Sequence, residues 1–374
     1  MPLNLSAGND AKELLTAPAI RNYPTKLFVE TTSRCNLNCV MCPKQNQSRT
    51  VADGDLAPVT FEALDDLFPG IESLVLNGIG EPLLNPHLEQ FIARAKKLMP
   101  AQSWIGFQSN GLLLTNQRTI SLVAAGLDKI CLSMDGVLPS TFSALCAGGE
   151  LSGLECALSA ITAAKGICSR PDLQIGVEYV VMRDNLEELP AALKWAAERG
   201  VNFAIVSHLH HYDEQIEVVE SAFGRARNFA RQSGLNLRLP EIMPSGKRSC
   251  NFVEQGGAFI SWDGSMHPCC QLWHNCHSFA NGWQHPVQPL VFGNVIEQGC
   301  LEIWNSGEFR SYREKVLRHD YPSCFSCNSS PCDLVQNDTF EQNCYANSEP
   351  CGSCICSAQV FHCLDWRAPG LIRS

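Results

Sequence analysis

The chain has 374 residues, 45% of them hydrophobic, and a formal net charge of −10. The length suits two or three domains. The acidic balance argues against nucleic acid or an anionic membrane as partner, because phosphate binding needs surplus Lys and Arg.

No apolar run approaches the roughly 18 residues of a membrane span. Met1–Leu15 shows no basic segment followed by an apolar one, so no leader and no membrane span are expected, and a cytoplasmic location is. Strand-like runs are predicted at Lys26–Thr31, Ser73–Asn77, Trp104–Ser109, Lys129–Met134, Gln174–Met182 and Phe203–Ser207. Most are short, apolar and bounded by Gly, Asn or Asp, the pattern of buried parallel strands. Helical patterns fill the gaps. Leu189–Arg199 has Pro190 for a first turn and Gly200 for the C′ position. Strands alternating with helices predict βαβ units and a parallel sheet. Polar and Gly-rich stretches follow the strands at Thr32–Cys35, Asn77–Glu81, Ser109–Gly111 and Ser133–Gly136. In a parallel barrel that edge carries the active site. After Gly234 the alternation fades into loops rich in Cys, Gly, Pro and His.

Cysteine is the abnormal component. The chain has 20, of which seven precede residue 250 and thirteen fall in residues 250–363. In a cytosolic enzyme such abundance points to metal binding or catalysis more than to disulfides. Cys35, Cys39 and Cys42 follow the first predicted strand at gaps of three and two residues. One tight loop can then present three thiolates inward, and thiolates are the natural ligands of iron–sulfur clusters. Three ligands on a four-iron cluster leave one iron open to a reactant. Zinc is the alternative, but a structural zinc site takes four protein ligands and no local fourth is present.

Cys-x3-Cys-x2-Cys after a first strand resembles the signature of the radical SAM superfamily, whose members use S-adenosylmethionine (SAM). The resemblance spans about residues 24–215. It implies a 4Fe–4S cluster on Cys35, Cys39 and Cys42 that chelates SAM. It also implies reductive cleavage to a 5′-deoxyadenosyl radical, and hydrogen abstraction from a substrate. Gly78-Ile79-Gly80-Glu81-Pro82 resembles the family's Gly-Gly-Glu-Pro element, with Ile79 where its first glycine is usual; this implies that Gly78, Gly80 and Glu81 bind the SAM amino group. Ser109-Asn110-Gly111 resembles the Thr-Asn-Gly turn, and Ser133-Met134-Asp135-Gly136 the Ser-x-Asp-Gly element; this implies that Ser109, Asn110, Ser133 and Asp135 bind SAM, Ser133 at its ribose or carboxylate. Met182–Asn185 looks like a further SAM-facing loop. No catalytic residue is assigned. Cys131, Cys146, Cys156 and Cys168 read as ordinary small core residues.

The tail resembles the SPASM extension, which holds auxiliary 4Fe–4S clusters. Cys250 and Cys269 resemble its opening, and Ile303-Trp304-Asn305-Ser306 with Phe309 and Arg313 its linking segment. Cys324, Cys327 and Cys332 follow at gaps of two and four, where two and five are usual, and Cys344 comes after a further gap of eleven. Cys351, Cys354 and Cys363 complete nine candidates for the eight positions of two auxiliary clusters. Cys270, Cys276, Cys300 and Cys356 are spares. A zinc-ribbon-like site is the alternative. The histidines His208, His210, His211, His267, His274, His277 and His362 read as loop or surface residues.

The expected architecture is a partial (β/α)6 TIM-type barrel followed by a small Cys-rich, cluster-binding C-terminal domain. The divisions are an extension at 1–23, a barrel at 24–235 and an auxiliary domain at 236–374. The implied activity is that of a maturase modifying a peptide, protein or enzyme cofactor, supplied with electrons by a donor such as ferredoxin or flavodoxin. Only about 25 residues precede the first strand, too few for the peptide-binding module of many peptide-modifying members. Cys42-Pro43 and the tail together resemble proteins that modify a tungsten cofactor. A dehydrogenase or epimerase of a small molecule such as a sugar is one alternative. A non-catalytic iron–sulfur electron-transfer protein is another, and the SAM-like motifs count against it.

Overall fold

Strand β1 (Lys26–Val29) is buried at every position, as a strand covered on both faces must be. This computed structural model describes residues 18–46, 51–208, 216–242, 249–280, 283–329, 332–336, 341–357, 362 and 364. Cys363, His210 and His211 lie outside the described residues. Five further runs form β2 (Ser73–Val75), β3 (Trp104–Ser109), β4 (Lys129–Ser133), β5 (Gln174–Val181) and β6 (Phe203–His208). They pair in parallel in that order, so their C-terminal ends share one edge.

Helices connect them. Asn116–Ala125 is capped by the Thr115 side chain, which accepts from the Arg118 N–H, and stops at Gly126 with φ +111°. Leu189–Ala197 has Pro190 in its first turn, and Gly200 beyond it takes φ +82°.

The sheet does not end at residue 235. Strand β7 (Asn236–Arg238) continues it in parallel beside β6. Strand β8 (Gly257–Ile260) pairs in parallel with β1 at the opposite end, Lys26 facing Gly257 and Val29 facing Ile260. Strands β9 (Ser265–His267) and β12 (Gly293–Asn294) follow antiparallel, giving ten strands in the order β12-β9-β8-β1-β2-β3-β4-β5-β6-β7. Strands β10 (Cys276–Ala280) and β11 (Trp283–Val287) make a separate antiparallel pair. The Cys-rich region is therefore built directly onto the edge of β1, the strand that leads into the three-cysteine loop.

The helix Gly307–Leu317 fastens this region to the start of the sheet. It buries Phe309, Tyr312, Arg313 and Val316, spaced to lie on one face. Arg313 is fully buried, 3.7 Å from the Trp304 ring and 4.5 Å from that of Phe309, and it donates to the Ala19 carbonyl at 2.8 Å. Trp304 donates to the Arg21 carbonyl at 2.9 Å. Among the described residues no helix is long and apolar enough to cross a membrane.

Candidate functional site

The three-cysteine loop leaves β1 at the shared C-terminal edge. Its backbone is pinned to the segment after β4: Asn38 and Val40 donate to the carbonyls of Ala147 and Leu145, both at 3.0 Å. Cys42 turns back to the Cys39 carbonyl at 3.1 Å. Cys35, Cys39 and Cys42 are all partly exposed. Burial pushes the Cys35 thiol up to about 11, and the nearby charges of Glu81, Cys39 and Cys42 add to this. Three thiols close enough to repel as anions suit a cationic centre that takes their charge.

The loop after β2 packs against this one with no room for side chains. A Cβ on Gly80 would lie 2.3 Å from the Arg34 carbonyl oxygen, and one on Gly78 would lie 2.3 Å from the Glu30 Cγ. Only glycine permits that approach. Glu81 donates its own N–H to Arg34 O at 2.7 Å. Its side chain is 2% exposed and turned inward. One oxygen accepts from Leu83 N at 3.0 Å and Ser109 Oγ at 2.8 Å; the other accepts from Asn110 N at 2.8 Å. Burial raises the Glu81 pKa, while these bonds and the Arg118 charge oppose the rise. Asn110 Nδ2 in turn donates to Asn36 Oδ1 at 2.9 Å, inside the cysteine loop. Gly78, Gly80, Glu81, Ser109 and Asn110 thus form one assembly with that loop.

Asp135 is also turned inward. It accepts from Val180 N at 2.8 Å, and Cys146 Sγ lies 3.6 Å from its other oxygen. Burial pushes its carboxyl up to about 6. Asn185, from the Met182–Asn185 loop, donates to the Asp135 carbonyl at 3.0 Å and ties the ends of β4 and β5 together. Ser133 stands at the end of β4 opposite Glu178 of β5.

The remaining cysteines fall into two sets. Cys250 and Cys269 lie within electrostatic reach of each other and of Cys351 and Cys354. These four line one cavity, together with Tyr312 and Tyr321. Cys324 is within reach of Cys327, Cys332 and Cys344. Cys327 and Cys344 are exposed, so the second set lies nearer the surface. Among the described residues no three His, Cys, Asp or Glu side chains are grouped tightly enough for a single metal ion. Four thiols around one cavity fit the ligand set of an iron–sulfur cluster. Of the spares, Cys300 bonds the Ala63 carbonyl at 3.0 Å, away from both sets.

Several polar groups escaped the sequence reading. Glu30, fully buried at the end of β1, accepts from Ile79 N at 3.1 Å and pairs with His274 Nε2 at 3.0 Å. It therefore joins the loop after β2 to the Cys-rich region. A glutamate inside an apolar strand was the available signal. Asn77 donates to Gln108 Oε1 at 2.7 Å, and Gln108 donates to Glu178, making a polar row across β2, β3 and β5. His208, His267 and His362 are buried, against their reading as loop or surface residues, and the His274 side chain is only 14% exposed.

Residues 29–196 match the family model of the radical SAM superfamily, and residues 250–328 match that of an iron–sulfur cluster-binding domain, SPASM. The chain is 31% identical over 358 residues to the tungsten-containing aldehyde ferredoxin oxidoreductase cofactor-modifying protein of Pyrococcus furiosus, covering 90% of this chain and 96% of that one. It is 26% identical over 338 residues to the AdoMet-dependent heme synthase of Methanosarcina barkeri, covering 79% and 86%. Among solved structures, Streptococcus suis SuiB bound to S-adenosylmethionine superposes with a TM-score of 0.61 at 15% identity, covering 87% of this chain and 78% of that one.

Proposed function

The chain belongs to the radical SAM superfamily and carries a SPASM iron–sulfur domain, and from that membership we propose that it is a maturase acting on the cofactor of a partner oxidoreductase. It is an enzyme that uses 4Fe–4S clusters and SAM to modify a peptide or a cofactor. The choice of cofactor over peptide rests on one observation, the near full-length match to a cofactor-modifying protein.

In this reading Cys35, Cys39 and Cys42 hold the SAM cluster. That cluster, when reduced, supplies the electron that cleaves SAM. Gly78 and Gly80 bring a bare backbone against the cysteine loop, where its polar groups can meet the SAM amino group. Glu81 fixes this backbone relative to the Ser109–Asn110 turn, and Ser133 meets SAM from the end of β4. Residues 24–235 form the SAM-cleaving unit and 236–374 the auxiliary unit. A small electron-transfer protein such as ferredoxin or flavodoxin supplies the electrons. The buried edge around Glu30 and Glu81 limits water near the reacting centre.

Two measurements test the reading. The anaerobically reconstituted protein, chemically reduced, is expected to convert SAM to 5′-deoxyadenosine, with about twelve irons per chain, four for each of three clusters. Failure to cleave SAM, or about four irons with zinc in the tail, would overturn it. The cysteine partition has its own test. Cys324→Ala with Cys327→Ala should remove about four irons, Cys351→Ala with Cys354→Ala another four, and each pair should leave the other set intact. Loss of about eight irons from either double variant would contradict two separate sets.

A further inference from the structure

Tyr312 brings a phenol hydroxyl to a cysteine of the inner auxiliary set. It sits on the buried face of the helix Gly307–Leu317 and is 5% exposed. Its ring lies 5.7 Å from that of Phe292, which stacks on Phe309 at 4.2 Å, so packing fixes where the hydroxyl points. That hydroxyl lies 3.5 Å from Cys351 Sγ. It lines the same cavity as Cys250, Cys269, Cys351 and Cys354. A cysteine bound to iron is a thiolate with no proton to give, so the hydroxyl must be the donor.

We propose that the Tyr312 hydroxyl donates a hydrogen bond to the ligating sulfur of Cys351 and so raises the reduction potential of the inner auxiliary cluster. This rests on the assignment of Cys250, Cys269, Cys351 and Cys354 as that cluster's ligands. Reduction adds one negative charge to a cluster, and part of it resides on the sulfurs. A donor aimed at a sulfur stabilises the reduced form more than the oxidised one, and hydrogen bonds to sulfur are a recognised means of setting cluster potentials. The effect is strengthened by burial, where little water competes. No comparable donor is recorded on Cys324, Cys327, Cys332 or Cys344 among the described residues. The two auxiliary clusters would then differ in potential because the protein around them differs, although each has four cysteines. Tyr312 is a positioning and tuning residue here, one that acts through its ligand.

The test is Tyr312→Phe in the full-length, anaerobically reconstituted protein. The ring and its packing remain and only the hydroxyl is lost. Iron and sulfide contents are expected to match those of the unaltered protein, and the thermal transition should move little. A redox titration followed by electron paramagnetic resonance should show one cluster signal shifted to lower potential. The expected shift is about tenfold in its reduction equilibrium, about 59 mV for one electron. The other signals should stay in place. Unchanged potentials with full iron content would overturn the proposal. So would loss of about four irons, which would make Tyr312 part of the cluster's structural support. The ligand assignment fails by a different result: if Cys351→Ala with Cys354→Ala removes no cluster signal, the four-thiol set is wrong whatever Tyr312 does.

Discussion

Replacing Cys35, Cys39 and Cys42 together by Ala is expected to abolish SAM cleavage and to remove about four irons per chain. The three thiols share one loop, and its backbone is held independently of any metal. Asn38 and Val40 are bonded to Ala147 and Leu145, and Asn36 to Asn110. The loop should therefore persist without its cluster, and the remaining irons, about eight, should be retained by the C-terminal sets. The loss of activity should be complete within detection, because the cluster these thiols would hold is the one that supplies the electron to SAM. The fold should change little, since the thiols are partly exposed and contribute modestly to the core. The check is 5′-deoxyadenosine formation measured beside iron content. Residual cleavage at the rate of the unaltered protein would refute the assignment of these cysteines.

The second large effect is expected at Glu81. Glu81→Ala removes a carboxylate that accepts three hydrogen bonds, from Leu83 N, Ser109 Oγ and Asn110 N. Each bond to a charged group contributes about 1.5–3 kcal/mol, and a buried donor left without a partner costs about 1–3 kcal/mol. The three donors belong to two different loops, so their relative position should be lost with the carboxylate. SAM affinity is expected to fall by about a hundredfold or more, which is about 2.8 kcal/mol. The thermal transition should drop by several degrees. The iron content should hold, because Glu81 is no cluster ligand. Glu81→Gln should be milder: its carbonyl can still accept, but its amide cannot accept from Asn110 N. Calorimetric or equilibrium binding of SAM to each variant decides this. A dissociation constant unchanged in Glu81→Ala would show that the assembly does not position SAM.

Local spacing was enough to place the strands and the three-cysteine loop, because both are short-range patterns. Short, near-continuous apolar runs of three to eight residues set β1 to β6, and gaps of three and two residues bring Cys35, Cys39 and Cys42 into one turn. The close approach of Gly78 and Gly80 was likewise signalled by glycines in series after a strand. Tertiary structure alone decided the rest. Cys324-x2-Cys327 and Cys351-x2-Cys354 are the same local motif, so nothing nearby in the chain says which pair faces Cys250 and Cys269. Only the packing of the helix Gly307–Leu317 and the joining of β8 to β1 bring Cys351 and Cys354 to that cavity. The inward turn of Glu81, and the pairing of Glu30 with His274 across more than two hundred residues, have the same origin. Burial of a polar side chain depends on neighbours distant in sequence, and these arrive only when the sheet is assembled. A buried charge must then find a partner, and the sequence names the residues without saying which will meet.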